Sequence, residues 1–205
     1  MIISLDAEEQ LWRKGINDVV GVDEAGRGPL AGPVVAAAVI FHKHDLIKGI
    51  DDSKRLSPRR REELYDAILW TATGIGVSIV PAGVIDEINI FNATMKAMRE
   101  SIEMLGTKPG HVLVDGPHFP AADFPVTTII DGDAYVYSIA AASIVAKVRR
   151  DRIMVELDGR YPQYGFSRHK GYGTPQHLQA LRRYGPCDQH RRSFRMPAPE
   201  LQGMP

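Results

Sequence analysis

Short apolar runs alternate with helical patterns along the chain. Val19-Val20-Gly21-Val22 and Val34-Val35-Ala36-Ala37-Ala38-Val39-Ile40 are β-branched or small throughout. The turn Gly26-Arg27-Gly28-Pro29 lies between them, which predicts two paired strands. Ser57-Pro58 reads as an N-cap followed by proline at the first helical position, opening a helix through Leu64, Ala67 and Ile68 that stops near Gly74. Ile75-Gly76-Val77-Ser78-Ile79-Val80 predicts a third strand. From Asn92, Met95, Met98, Ile102 and Leu105 recur at helical spacing up to Gly106, with the methionines as core residues. His111-Val112-Leu113-Val114 and Val126-Thr127-Thr128-Ile129-Ile130 predict two more strands. The run from Ile139 to Ala146 is apolar on every side and predicts a central helix packed closely on the sheet. That helix turns amphipathic through Lys147, Arg149, Arg150 and Arg152 before Gly159. A Gly- and Tyr-rich loop, a helix near Thr174 to Tyr184 and an irregular end follow. The sum is an α/β fold with a mixed central sheet flanked by helices.

Composition adds few constraints. The 205 residues suffice for a single domain with a sizeable core, and 44% apolar with 24% charged is ordinary for a globular protein. Net charge is zero, so bulk charge points to no partner. Its distribution is uneven: after Ser167 come Arg168, Lys170, Arg182, Arg183, Arg191, Arg192 and Arg195 against Asp188 and Glu200, a local surface suited to a polyanion. Cys187 is the only cysteine, which excludes an intrachain disulfide and a thiolate cluster and suits a reducing cytoplasm. The start, Met1 to Glu9, turns acidic where a signal peptide would be apolar. The longest apolar run, Val34 to Phe41, is far short of the roughly 20 residues of a spanning helix. A cytoplasmic protein without membrane association is expected.

The chemistry concentrates in carboxylates at strand-to-turn junctions: Asp23-Glu24 after the first strand, Asp115 after the fourth and Asp133 just past the fifth. Strand ends of an α/β sheet converge on one crevice. Acids gathered there repel, and hard cations such as magnesium or manganese, which prefer oxygen ligands, would balance them. Neighbouring side chains on a regular strand face opposite ways, so a shared site for Asp23 and Glu24 requires the strand to break at Glu24. Each acid also has a plain structural use. Asp115-Gly116 is ordinary turn chemistry, and Asp133 stands where it could cap the following helix. Gly26-Arg27-Gly28 would let backbone N–H groups approach a ligand closely. Walker, dinucleotide, zinc and serine-elbow motifs are all missing from the sequence.

Several segments together resemble one family. Val22-Asp23-Glu24-Ala25-Gly26-Arg27-Gly28-Pro29-Leu30-Ala31-Gly32-Pro33-Val34 is similar to the opening signature of bacterial ribonuclease HII, and Asp52-Ser53-Lys54-Arg55-Leu56-Ser57 to its D-S-K-x-L-S segment. Asn89 to Met95, Val114-Asp115-Gly116, Gly132-Asp133, Ala141 to Asp151, Tyr164-Gly165-Phe166, His169 to Thr174 and His190 to Phe194 continue the resemblance in order along nearly the whole chain. It implies a ribonuclease H-like core over about residues 1–160 and a helical C-terminal extension over about 161–205, in one catalytic domain. It further implies an endonuclease of RNA–DNA hybrids and of duplex DNA with embedded ribonucleotides. That enzyme would use Mg2+ or Mn2+, two ions per site, on Asp23, Glu24, Asp115 and Asp133. Gly26, Arg27 and Gly28 would read the 2′-hydroxyl and Tyr172 would pack on the following deoxyribose. Lys54, Arg55, Lys170, Arg191 and Arg192 are candidate phosphate contacts.

Two positions depart from the family pattern: Pro117 where asparagine is common and Asp131 where lysine is usual. The end from Met196 to Pro205 offers no recognisable partner-binding peptide, no protein partner is assigned, and a monomer is expected. Two rival readings exist, a DNA junction resolvase built on a similar acid cluster and a non-catalytic nucleic-acid-binding module. The module would have no use for acids at strand ends, and only ribo-substituted substrates separate the resolvase.

Overall fold

The computed structural model describes residues 3–198. Most of the 196–205 end therefore lies outside the described residues. In chain order the elements are α1 (Asp6–Arg13), β1 (Val19–Ala25), β2 (Val34–Ile40), α2 (Pro58–Thr71), β3 (Gly74–Val80), α3 (Ala82–Glu103), β4 (His111–Asp115), β5 (Val126–Ile129), α4 (Tyr137–Arg160), α5 (Phe166–His169) and α6 (Pro175–Tyr184). The five strands form one mixed sheet in the order β3-β2-β1-β4-β5. β2 pairs antiparallel with both β1 and β3, while β4 runs parallel to β1 and β5. The N-cap expected at Ser57 forms, and Thr174 caps the last helix in the same way, each side chain accepting from the N–H three residues on.

The sheet is covered on both faces, which explains why every residue of β2 is buried. Ala37 and Val39 face α2 and α4, packing with Leu64, Ile68, Tyr137, Ile144 and Val145. Ala36, Ala38 and Ile40 face α3, with Ile85, Ala97, Met98 and Ile102. Helix α4 lies directly on β1. A Cβ on Gly21 would come within 2.1 Å of the Ser138 carbonyl carbon, so only glycine permits this approach.

Three elements differ from the sequence expectation. Helix α1 was not anticipated; its Glu8 is buried and accepts from the Ser138 N–H at 2.7 Å, tying it to the start of α4. Helix α3 begins ten residues before the expected Asn92, with an interruption at Asn89, whose φ of 65° lies in the left-handed region. The Asn89 side chain then accepts from the Asn92 N–H at 3.0 Å and restarts the helix, so periodicity registers only the second part. In α4, Arg150 does not face solvent as the amphipathic pattern suggested; it is 1% exposed.

Candidate active site

The residues that build the site come from four places in the fold. Pairing between β1 and β4 ends at Val22↔Val114. One step further along each strand stand Asp23 and Asp115, on the α4 side of the sheet by alternation from Gly21 and Leu113. Glu24 does not require a broken strand: β1 continues to Ala25, paired with β2 at Glu24↔Ala36 and Ala25↔Val35. With β4 ending at Asp115, the β4 side of β1 is open beside Glu24. The Glu24 N–H donates to Asp23 Oδ1 at 2.7 Å. One carboxylate oxygen each from Asp23, Glu24 and Asp115 lies within 4.8 Å of the other two. That oxygen-only donor set fits a hard divalent cation.

Asp133 sits in a 3-10 turn at Gly132–Ala134, with its N–H donating to Asp115 Oδ1 at 3.4 Å. It is not the helix cap that its position allowed, because α4 is preceded by Val136 with no side-chain cap. Its carboxylate instead accepts from Lys54 Nζ at 2.7 Å. The turn role expected of Asp115-Gly116 is also real, since Gly116 has a φ of +91°.

A cleft of about 230 Å³ joins these groups, lined by Asp23, Glu24, Asp115, Asp133, Lys54, Tyr172 and the Gly26–Gly28 loop, among others. Its electrostatics follow from burial among like charges. Desolvation first, then the charges of Glu24 and Asp115, push the Asp23 carboxyl well above the usual carboxylate range. Burial also raises Glu24, against the opposing pull of Arg27, and raises Asp115, helped by Asp133. The hydrogen bond to Asp133 raises Lys54, so that amine stays charged beside the acids. The protein thus supplies less positive charge than its carboxylates need, and an added cation would relieve them.

Behind the cleft the loop is held by its carbonyls. Arg191 donates to Gly26 O at 2.6 Å, Arg27 O at 2.9 Å and Gly32 O at 3.0 Å. Arg150 donates to Pro33 O, Lys170 O and Ala31 O at 3.0 to 3.1 Å. Gly26, with a φ of +100°, lies so close to Arg150 that a Cβ would meet Nε at 2.1 Å. Among the described residues, no backbone carbonyl accepts from the N–H groups of Arg27 or Gly28. The loop therefore has its acceptors engaged inward, and these two donors are left for a ligand.

Not every basic residue reaches the cleft. Arg191 is corrected from phosphate contact to buried brace: it is 0% exposed and each of its three guanidinium nitrogens donates to a loop carbonyl. Lys170 lies in a neighbouring groove between α2 and α4, with its amine turned to Ser167 O. Arg192 is exposed, its N–H bonded to Asp86 at 2.9 Å. Arg55 pairs with Asp51 at 3.3 Å on the surface, and Asp131 is exposed outside the cleft lining. Conversely Ser53, Ser143, Lys147 and Arg150 line the cleft without having been singled out. Ser143 carried a signal, a hydroxyl inside an otherwise apolar helical run. Its Oγ lies 2.9 Å from Ser53 Oγ, and its hydrogen bond to Asp23 counters the rise in that carboxyl.

Comparison with known proteins identifies the family. The family model described as Ribonuclease HII matches residues 20–196. The ribonuclease HII of Geobacillus thermodenitrificans is 58% identical over 187 residues, covering 91% of this chain and 72% of that protein. That of Caldicellulosiruptor bescii is 51% identical over 189 residues, 92% of each chain. The crystal structure of ribonuclease H2 from Pyrococcus horikoshii superposes with a TM-score of 0.72 at 28% identity, over 86% of this chain and 93% of that one. Among the described residues no helix is long and apolar enough to cross a membrane. The chain belongs to the ribonuclease HII family, divalent-metal-dependent endoribonucleases that act on RNA–DNA hybrids.

Proposed function

We propose that the chain cuts the RNA strand of hybrids and also nicks duplex DNA on the 5′ side of embedded ribonucleotides, leaving 5′-phosphate and 3′-hydroxyl ends. A role in removing ribonucleotides during replication and repair follows from that activity. The observation that carries the reading is the meeting of Asp23, Glu24 and Asp115 oxygens within 4.8 Å, in the same cleft as the Gly26–Gly28 loop and Tyr172.

Asp23, Glu24, Asp115 and Asp133 would hold two divalent cations. When bound, Mg2+ or Mn2+ neutralises the carboxylates, polarises the phosphodiester and eases ionisation of the attacking water. The chain's own residues position and select. Lys54, with its side chain 75% exposed and bonded to Asp133, offers charge to an approaching phosphate. The N–H donors of the Gly26–Gly28 loop bond the ribose 2′-hydroxyl, the group that separates RNA from DNA at one position. Backbone donors ignore base identity, so cleavage is largely blind to sequence. The half-exposed Tyr172 ring packs on the next sugar. Lys54 and Arg192 are proposed phosphate contacts, which makes binding fall with rising salt.

The test is cleavage of a DNA duplex bearing one ribonucleotide, with and without chelator, with product ends mapped. Nicking 5′ to the ribonucleotide that stops on chelation, or on replacing that ribose by deoxyribose, is expected. Continued nicking of the all-DNA duplex would overturn 2′-hydroxyl recognition, and indifference to chelator would overturn the metal site.

A further inference from the structure

Three distant segments interlock behind the cleft. Leu30 N–H donates to Gly171 O at 2.8 Å, Gly32 N–H to Gln189 O at 2.8 Å and Arg191 N–H to Leu30 O at 2.9 Å. The loop after β1 is thus gripped by the segment carrying Tyr172 on one side and the segment carrying His190 and Arg191 on the other. Both His190 and Arg191 are buried, at 1% and 0% exposure.

The hydrogen bonds fix the proton positions in a histidine relay. Cys187 N–H donates to His190 Nδ1 at 3.0 Å, so that nitrogen is an acceptor and the proton sits on Nε2. His190 Nε2 lies 3.0 Å from His177 Nε2, which must then accept. The His177 proton is left on Nδ1, where it donates to the Tyr172 carbonyl at 2.9 Å. The chain of donors runs from Cys187 through two neutral imidazoles to the backbone of Tyr172. Arg191, the next residue, holds the carbonyls of Gly26 and Arg27. The two parts held this way are neighbours: a Cβ added at Gly28 would lie 3.6 Å from Tyr172 Cε1, and both line the cleft.

We propose that His190 and Arg191 are positioning residues for substrate selection, one dipeptide that fixes the gap between the loop reading the ribose and the ring packing on the following sugar. The proposal rests on the roles given above to Gly26–Gly28 and Tyr172. Its content is a division of labour. Arg191 sets the loop, which every ribose-containing substrate uses. His190, through His177, sets the Tyr172 ring, which matters most where a deoxyribose follows the ribose. In a uniform hybrid the next sugar carries a hydroxyl, so the ring contributes less there.

The test measures kcat and KM on a duplex with a single ribonucleotide and on a uniform RNA–DNA hybrid. His190→Leu should lower kcat/KM for the single-ribonucleotide duplex about tenfold relative to the hybrid, the scale of one lost buried hydrogen-bond link. The loss should fall on kcat, because misplacement acts on the reacting geometry. His190→Gln keeps a donor toward His177 and should restore the substrate ratio to within about twofold, a change at the noise level of one intact hydrogen bond. Arg191→Lys, with a single ammonium for three carbonyls, should lower both substrates by a similar factor and leave the ratio alone.

An unchanged ratio in His190→Leu, or an equal fall on both substrates that glutamine does not rescue, overturns the relay. Unchanged rates in Arg191→Lys overturn the clamp. Should His190→Leu not fold, His190→Asn makes the same test, being long enough to meet Cys187 N–H but too short to reach His177. Tyr172→Ala separates the two levels: if it leaves the ratio intact, the sugar-packing role fails, whereas an altered ratio there with an unaltered one in the His190 variants defeats only the positioning role.

Discussion

The cleft and the layer directly behind it handle buried charge in opposite ways. In the cleft, Asp23, Glu24 and Asp115 lie side by side, and burial first, then the charge of neighbouring carboxylates, raises their pKa values. Behind it, Arg150 and Arg191 are at least as buried, yet three backbone carbonyls surround each guanidinium. Burial lowers them only to about 10 and about 9, so both stay charged at neutral pH. The front layer is left unbalanced and so can take a ligand; the back layer is satisfied and so can hold shape. Function and rigidity are separated by the thickness of one loop.

The largest effect expected from breaking this contrast is on catalysis. Asp23→Asn or Asp115→Asn should lower cleavage by roughly 10³-fold, the scale of removing a preorganised electrostatic contact. The same variants should stabilise the metal-free protein. An acid with a raised folded pKa penalises the fold above that pKa, and asparagine removes the penalty. A melting temperature about 2–4 °C higher would correspond to about 1 kcal/mol in a chain of this size. Wild-type protein should instead gain stability on adding Mn2+, by about 2.7 kcal/mol at a hundred times the dissociation constant. A thermal shift titration that shows no such gain in wild type would contradict the unbalanced cleft.

Next in size is the back layer. Arg150→Met strips the donors from Pro33 O, Ala31 O and Lys170 O. Leaving those carbonyls unpaired should cost about 3 kcal/mol, read as a lower urea midpoint.

Acid should then move the two layers in opposite directions. Burial, with His177 alongside, lowers His190 from 6.5 to about 4, and His177 is lowered by burial too. The unfolded chain takes up those protons first, so the stability they contribute is present above about pH 6.5 and is lost as pH falls toward 4. The cleft carboxylates have the reverse sign, and their penalty is relieved as pH falls, because they protonate in the fold before they do in the unfolded chain. Hydrogen exchange between pH 7 and 5 should therefore show faster opening around residues 172–191 and none at β1. Equal loosening of both would defeat the distinction.

The smallest effect concerns the outer anchor. Asp86 accepts from Arg192 N–H, Ser193 N–H and Ser193 Oγ at 2.6 to 2.9 Å. Asp86→Asn should cost about 1 kcal/mol, a shift of a few degrees in melting temperature.

How much of this was legible in sequence divides along the same line. The front layer was readable because its acids stand at strand ends, where local pattern and chemistry coincide. All five strands and the carboxylate set emerge from runs and junctions alone. The exception is Glu24, where alternation wrongly demanded a broken strand; the end of β4 at Asp115 opens that side instead. The back layer was largely unreadable. Arg150 and Arg191 look like solvent-facing charge, because all but one of the carbonyls that hold them lie 117 to 165 positions away in the chain. The neutral state of His177 and His190 likewise depends on partners that no local window contains. Asn89 hid the first part of α3 for a simpler reason: a single left-handed residue resets the helical phase.

The Arg191 clamp also has a temporal meaning. Ribosomal synthesis releases Asp23, Glu24, Asp115 and Asp133 well before residue 191 leaves the exit tunnel. A nascent chain can bring its acids together while the Gly26–Gly28 loop, to which we propose that substrate selection belongs, is still unclamped. On the proposed reading selectivity would be the last property the polypeptide acquires, and any product ending before Arg191 would keep the four acids without the guanidinium that holds the loop carbonyls.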